Sequence, residues 1–233
     1  MAGEPEEREL GKVSQDPVRI EDFNDRGVGL AIEFSWREDR FAHGIYFLQE
    51  GEQHPLLKSV EGVASDTWPA SPPLQQISAQ EIAGDPAIMG VGMAGHSHWS
   101  ASCLLKTSDD GQLTLLCELA CLTKTPARKN VAAEAADELA AKVVSAKVTA
   151  PRICSNYEVF DGWNLLFTEE NAQYCRFASE HAQQNQSPLL NTEFSSVNPT
   201  KIAADGNRLT LMPSSPEAGS KTAVQWGYRI WLP

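Results

Sequence analysis

Basic residues are scarce in this chain. Lysine and arginine number 19 against 31 aspartates and glutamates, a formal net charge of -12. Such a surface repels phosphate backbones and anionic membranes, so neither nucleic acid nor a membrane is an expected partner. No apolar run approaches the ~20 residues of a spanning helix. The N-terminus MAGEPEEREL is acidic where a secretory signal carries a basic stretch and then an apolar one. The expectation is a soluble, cytoplasmic protein. Cysteine is sparse and odd in number: Cys103, Cys117, Cys121, Cys154 and Cys175 show no CxxC spacing, which speaks against a zinc ribbon or a disulfide framework and for reduced, buried thiols.

What is present suits one β-rich domain. Hydrophobic residues make up 42% of 233, enough for a substantial core. Residues 1–20 are charged, carry Pro5 and Pro17 and show no apolar period, so a disordered acidic tail is expected ahead of a single domain over 21–233. From Val28 the pattern alternates through Leu30, Ile32, Phe34 and Trp36, breaks at REDR, and resumes with Phe41, Ile45 and Phe47, the signature of a β-hairpin. A further strand over 56–63 leads into the Pro- and Ser-rich loop ASDTWPASPP.

Asp110-Gly111 suits a two-residue type I′ turn, whose central residues both need φ > 0. That turn would pair His98 with Thr123 and Ser100 with Cys121, and set Glu118 against Cys103 on the opposite face. Asp161-Gly162 and Asp205-Gly206 mark two more hairpins. One helix is expected over 131–147, where Val131, Ala135, Leu139 and Val143 recur every fourth residue behind Asn130 as a cap. Another starts after Thr168, with Glu169 and Glu170 in its first turn, and fades at Gln183. The last strand places Val224, Trp226, Tyr228, Ile230 and Leu232 on one face. The whole reads as an antiparallel β-sandwich of about ten strands with two accessory α-helices, because βαβ units would need helices between most strands.

The stretch IMGVGMAGHSHWSASC, residues 88–103, carries three overlapping site patterns. Gly90, Gly92 and Gly95 spell the GxGxxG of a dinucleotide site, with Glu118 as a candidate ribose-binding acid. That site needs a helix whose first amides hold the pyrophosphate, yet HSHWSASC is built of poor helix formers that alternate like a strand. His96 and His98 lie two apart, so on a strand they would share a face and could hold one metal. The glycine and histidine spacing of Gly90, His96 and His98 resembles the metal-binding stretch of cupin barrels, which implies a metal-dependent enzyme. The pattern then departs: a cupin carries Glu where Ser102 and Cys103 stand here. The near-match to GxSxG lacks its second glycine, which Trp99 replaces.

The simplest reading of the stretch is the start of a β-strand, with no cofactor and no metal. Trp36, Trp99, Trp163, Trp226 and Tyr228 fall in or beside strands and are expected in the core. Trp231 falls on the other face of the last strand with Arg229, where a ring beside a guanidinium suits a polar, ring-shaped ligand. The expected function is a non-enzymatic binding or interaction module for a carbohydrate-like ligand or a protein partner, with His96, His98, Arg229 and Trp231 as the ligand-contacting candidates. The alternatives are an enzyme built on the His96/His98 pair and, behind it, dinucleotide binding through Gly90, Gly92 and Gly95.

Overall fold

The structure is a computed structural model that describes residues 14–123, 153–167, 174–179, 187–191, 200–213 and 223–232. The first eight strands follow one another closely: β1 (Val18–Phe23), β2 (Val28–Arg37), β3 (Arg40–Gln49), β4 (Glu52–Ser59), β5 (Leu74–Ile82), β6 (Asp85–Ala94), β7 (Ser97–Thr107) and β8 (Leu113–Thr123). Seven more complete the fold: β9 (Ser155–Val159), β10 (Asn164–Phe167), β11 (Tyr174–Ala178), β12 (Leu189–Asn191), β13 (Thr200–Asp205), β14 (Arg208–Pro213) and β15 (Val224–Trp231). Val18, assigned to the tail from sequence, already pairs with Phe34 in β1.

All fifteen strands join one antiparallel, hydrogen-bonded sheet, ordered β10-β11-β12-β15-β8-β7-β6-β5-β3-β4-β9-β14-β13, with β2 along β3 and β1 beyond it. A mainly β, antiparallel protein is what the sequence led us to expect. The separate sheets and the count of about ten strands are not what forms. A single bridge, Phe41 to Leu74, links the β1–β4, β9, β13 and β14 wing to the wing of β5–β8, β10–β12 and β15. The sheet then curls so that β13 and β9 reach β15. The Gly227 N–H donates to Thr200 Oγ1 at 3.1 Å, and Trp226 Nε1 donates to Ser155 Oγ at 3.1 Å.

No helix occurs among the described residues, and so none is long and apolar enough to cross a membrane. The helix expected over 131–147 lies outside them. The helix expected from Thr168 to Gln183 is corrected: residues 174–178 form β11, paired with β10 and β12. Cys175 and Phe177 alternate into the core there, and burying that face outweighs a weak helical pattern. The hairpin expected at Asp161-Gly162 is also corrected. β9 pairs with β4 and β14 whereas β10 pairs with β11, so the turn carries the chain from one wing to the other. Trp163 fixes this crossing: its ring packs edge-on against Phe47 at 5.6 Å and Phe177 at 6.5 Å, and its Nε1 donates to Pro55 O at 3.0 Å.

The inner faces of the two wings supply the core. Phe34, Phe41 and Phe47 from β2 and β3 meet Trp226, Tyr228 and Ile230 from β15, all at most 1% exposed. Trp99 and Trp226 stack edge-to-face at 6.0 Å. Each ring of this kind contributes about 1.5–3 kcal/mol by leaving water. The polar ends of these side chains are paired, as buried polar groups must be. Tyr157 OH lies 3.0 Å from His43 Nε2 and 2.5 Å from Tyr228 OH. Burial lowers the His43 pKa to about 4, so the ring is neutral at pH 7.

Candidate functional site

The stretch with three overlapping patterns is β6, a two-residue turn and β7. Each glycine of GxGxxG has a packing reason. A Cβ on Gly92 would lie 1.8 Å from the Pro73 carbonyl oxygen, and one on Gly90 would lie 2.9 Å from Leu74 Cδ1. Gly95 opens the turn at φ +54. The glycines thus let β6 run hard against the start of β5, where Gln75 bulges out of register. A strand follows Gly95 where a dinucleotide site needs a helix.

His96 is the second residue of the turn and is exposed, while His98 is half-buried on the outer face of β7. The two therefore do not share a strand face. The β7–β8 register also differs from the expected one. The connection is a five-residue loop closed by the Ser108 N–H donating to Gln112 O at 3.0 Å and the Gly111 N–H donating to Ser108 O at 2.8 Å. Thr107 consequently pairs with Leu113, His98 with Leu122 and Ser102 with Glu118. Glu118 shares the outer face with His98 rather than pointing away. It sits four residues along β8 from the His98 row, about 13 Å at strand spacing. No group of three His, Cys, Asp or Glu suited to a metal ion occurs among the described residues.

His98 borders a depression of about 470 Å³ on the outer face of β5–β8. Val91, Met93 and Leu122 form its apolar lining, and Gln75, Gln76 and Ser100 add polar atoms. The bulge positions Gln75 so that its amide takes over the missing ladder bonds, donating to Met93 O at 3.2 Å and accepting from Met93 N at 3.0 Å. Met89, Val91 and Met93 alternate outward on β6, 36 to 50% exposed.

Arg229 and Trp231 fall on the outer face of β15, and the expected inner set of Val224, Trp226, Tyr228, Ile230 and Leu232 faces the core or its margin. The Arg229 guanidinium covers the Trp231 ring at 5.0 Å, and Tyr174 meets it edge-on at 6.4 Å. The pair is remote from His98. Arg229 is level with Leu116 and His98 with Leu122, six residues or about 20 Å along the sheet.

Sequence reasoning missed a second depression of about 360 Å³, where the chain after β4 passes over the β2–β3 turn. Arg40 is 2% exposed there. Its Nε and Nη2 donate to the Asp39 carboxylate at 2.8 and 3.0 Å, and Nη2 also reaches Val63 O at 3.2 Å. The fork holds the Asp39 carboxyl below the usual carboxylate range. Ser59 Oγ accepts the His43 N–H at 2.8 Å and donates to Glu61 Oε1 at 2.6 Å. Burial raises the Glu61 carboxyl above its ordinary value. The REDR turn was legible, but the cover over Arg40 comes from a loop whose contact, Val63 O, lies 23 residues on, which no local pattern reveals.

The cysteines offer no nucleophile. All five are buried, and the thiols of Cys121 and Cys175 are pushed up to about 12 by burial. Cys103 is raised by its hydrogen bond with Cys117 and by burial. No protein-family model matches the chain, and no curated protein matches it.

Proposed function

We propose that this chain is a non-enzymatic binding module, sandwich-like in its two facing wings, that takes a carbohydrate-like ligand in the depression beside His98. The observation that carries this reading is the outward row of Met and Val set in a concave, partly polar surface. A sugar presents an apolar C–H face and a rim of hydroxyls. Val91, Met93 and Leu122 match the face, and Gln76, His98 and Ser100 match the rim. His96, in the adjoining turn, stands at the edge of this site. The Arg229–Trp231 pair is a separate patch whose ring face is already occupied by the guanidinium.

The test is calorimetric titration with galactose, N-acetylglucosamine and cellobiose. At least one is expected to bind, with His98→Ala and Met93→Lys each weakening it at least tenfold. Binding that both variants leave unchanged would move the ligand elsewhere. Failure of all three sugars, with a protein partner displaced by Met93→Lys, would turn the module into a protein-docking one and refute the carbohydrate reading.

A further inference from the structure

Arg40 Nη1 and Glu61 Oε2 are both shielded from solvent with no hydrogen-bond partner, and both residues line the cleft beneath the chain that follows β4. No ion pair joins them, although each feels the other's charge. A buried donor and a buried acceptor without partners, on two residues that line one cavity, are costly to the fold, and their chemistry defines what would complete them. The partner must offer an oxygen to the guanidinium and an N–H to the carboxylate at the same time.

The charges narrow the class. Asp39 occupies Nε and Nη2 of Arg40 and leaves Nη1 as its open donor, while Ser59 occupies Glu61 Oε1 and leaves Oε2 as its open acceptor. A cationic donor satisfies it better than a neutral one, because a buried carboxylate is stabilised only by a charged or strongly donating partner. Arg37 and Lys58 line the cleft with Glu38 and Glu158. The rim therefore carries two charges of each sign and selects for neither an anion nor a cation alone. We propose that this cleft binds a small zwitterion of the α-amino-acid type, its ammonium group on Glu61 and its carboxylate on Arg40 Nη1. The site is independent of the depression beside His98, on a different wing of the sheet, and fails or stands separately from it.

The experiment titrates the full chain with three molecules of nearly one shape: L-alanine, L-lactate, which replaces the ammonium by hydroxyl, and isopropylamine, which replaces the carboxylate by methyl. The readout is the NMR signal of Arg40 Nε–H, with that of Arg19 as the control. L-Alanine is expected to shift the Arg40 signal in a saturable way, and the other two at the same concentration are not. Equal response to lactate would make the cleft a plain anion site, and equal response to isopropylamine would remove Arg40 from recognition. Either result overturns the proposal. So does no response to any of the three, which would leave ordered water as the partner of both orphaned atoms.

Because Arg40→Lys breaks the fork to Asp39 and endangers folding, the variant is Glu61→Gln, which keeps an acceptor for Ser59 Oγ. It is expected to weaken L-alanine at least tenfold while the melting temperature stays level or rises. A lower melting temperature with alanine binding intact would mark Glu61 as a purely structural residue.

Discussion

The outer faces of the two wings are built from the same alternation and differ in where their apolar residues gather. On the β2–β4 face the outward positions hold Glu33, Tyr46 and Lys58, with Arg19 of β1 paired to Glu21 and Glu33 at 2.8 and 3.2 Å and lying 5.5 Å over the Tyr46 ring. On the β6–β8 face they hold Met89, Val91 and Met93 beside His98, Ser100 and Leu122, with Glu118 and Lys106 farther along β8 and β7. The inner faces show no such contrast, being apolar in both wings. Inward positions answer to the core alone, whereas outward ones are free to be polar. A contiguous apolar row at outward positions therefore marks a candidate contact surface.

If that division holds, the largest stability loss belongs to an inner residue. Trp226→Ala should cost ~3–5 kcal/mol in denaturant melts, since a large ring leaves a cavity that the sheet cannot close. Trp231→Ala, on the outer face of the same strand, should cost less than about 1 kcal/mol. Equal costs would erase the distinction between inner and outer positions.

The next effect is set by pH. The folded state holds His43 neutral down to about 4 against an ordinary 6.5, so the unfolded chain binds the extra proton between those values. Stability should be full above pH 6.5 and fall by about 3 kcal/mol as the pH drops toward 4. His43→Gln keeps a partner for Tyr157 OH without titrating, and should flatten that part of the profile. An unchanged slope would place the acid sensitivity in other groups.

The outer faces should then separate from each other. Arg40→Ala empties a buried position and removes its bonds to Asp39 and Val63 O, and should cost on the order of 1–3 kcal/mol. Met93→Lys on the apolar face should change stability by no more than about 0.5 kcal/mol. A costly Met93→Lys would mean that the methionine row supports the fold.

Much of the fold was legible wherever the pattern is local. The β2–β3 hairpin and the phase of β15 follow from alternation, and Trp99, Trp163, Trp226 and Tyr228 sit in the core. Strand β5 escaped because Gln75, Gln76, Ser78, Gln80 and Glu81 give it no apolar face to advertise. The β7–β8 register slipped by one because Ser108 closes a longer loop through its backbone and its hydroxyl, which donates to Gln112 O at 3.1 Å, and a turn dipeptide alone does not announce that closure. Of the four site residues, His98 lies in a depression, His96 stands in the turn beside it, and Arg229 with Trp231 lies far off along the sheet. That Arg229 and Trp231 share the outer face of β15 was readable from alternation, whereas the place of His96 in the turn and the distance from His98 to Arg229 depended on strand bounds and register.

The central claim is that the β6–β8 outer face binds rather than folds. ¹³C-methyl NMR of the methionines tests it in one sample: Met89 and Met93 report that face, and Met212 on β14 serves as the control. On titration with the sugar that calorimetry selects, the Met93 and Met89 signals should shift together and saturate while Met212 stays fixed. Signals from Met89 and Met93 that remain still at saturating sugar, or a shift of Met212 as large as theirs, would contradict the account.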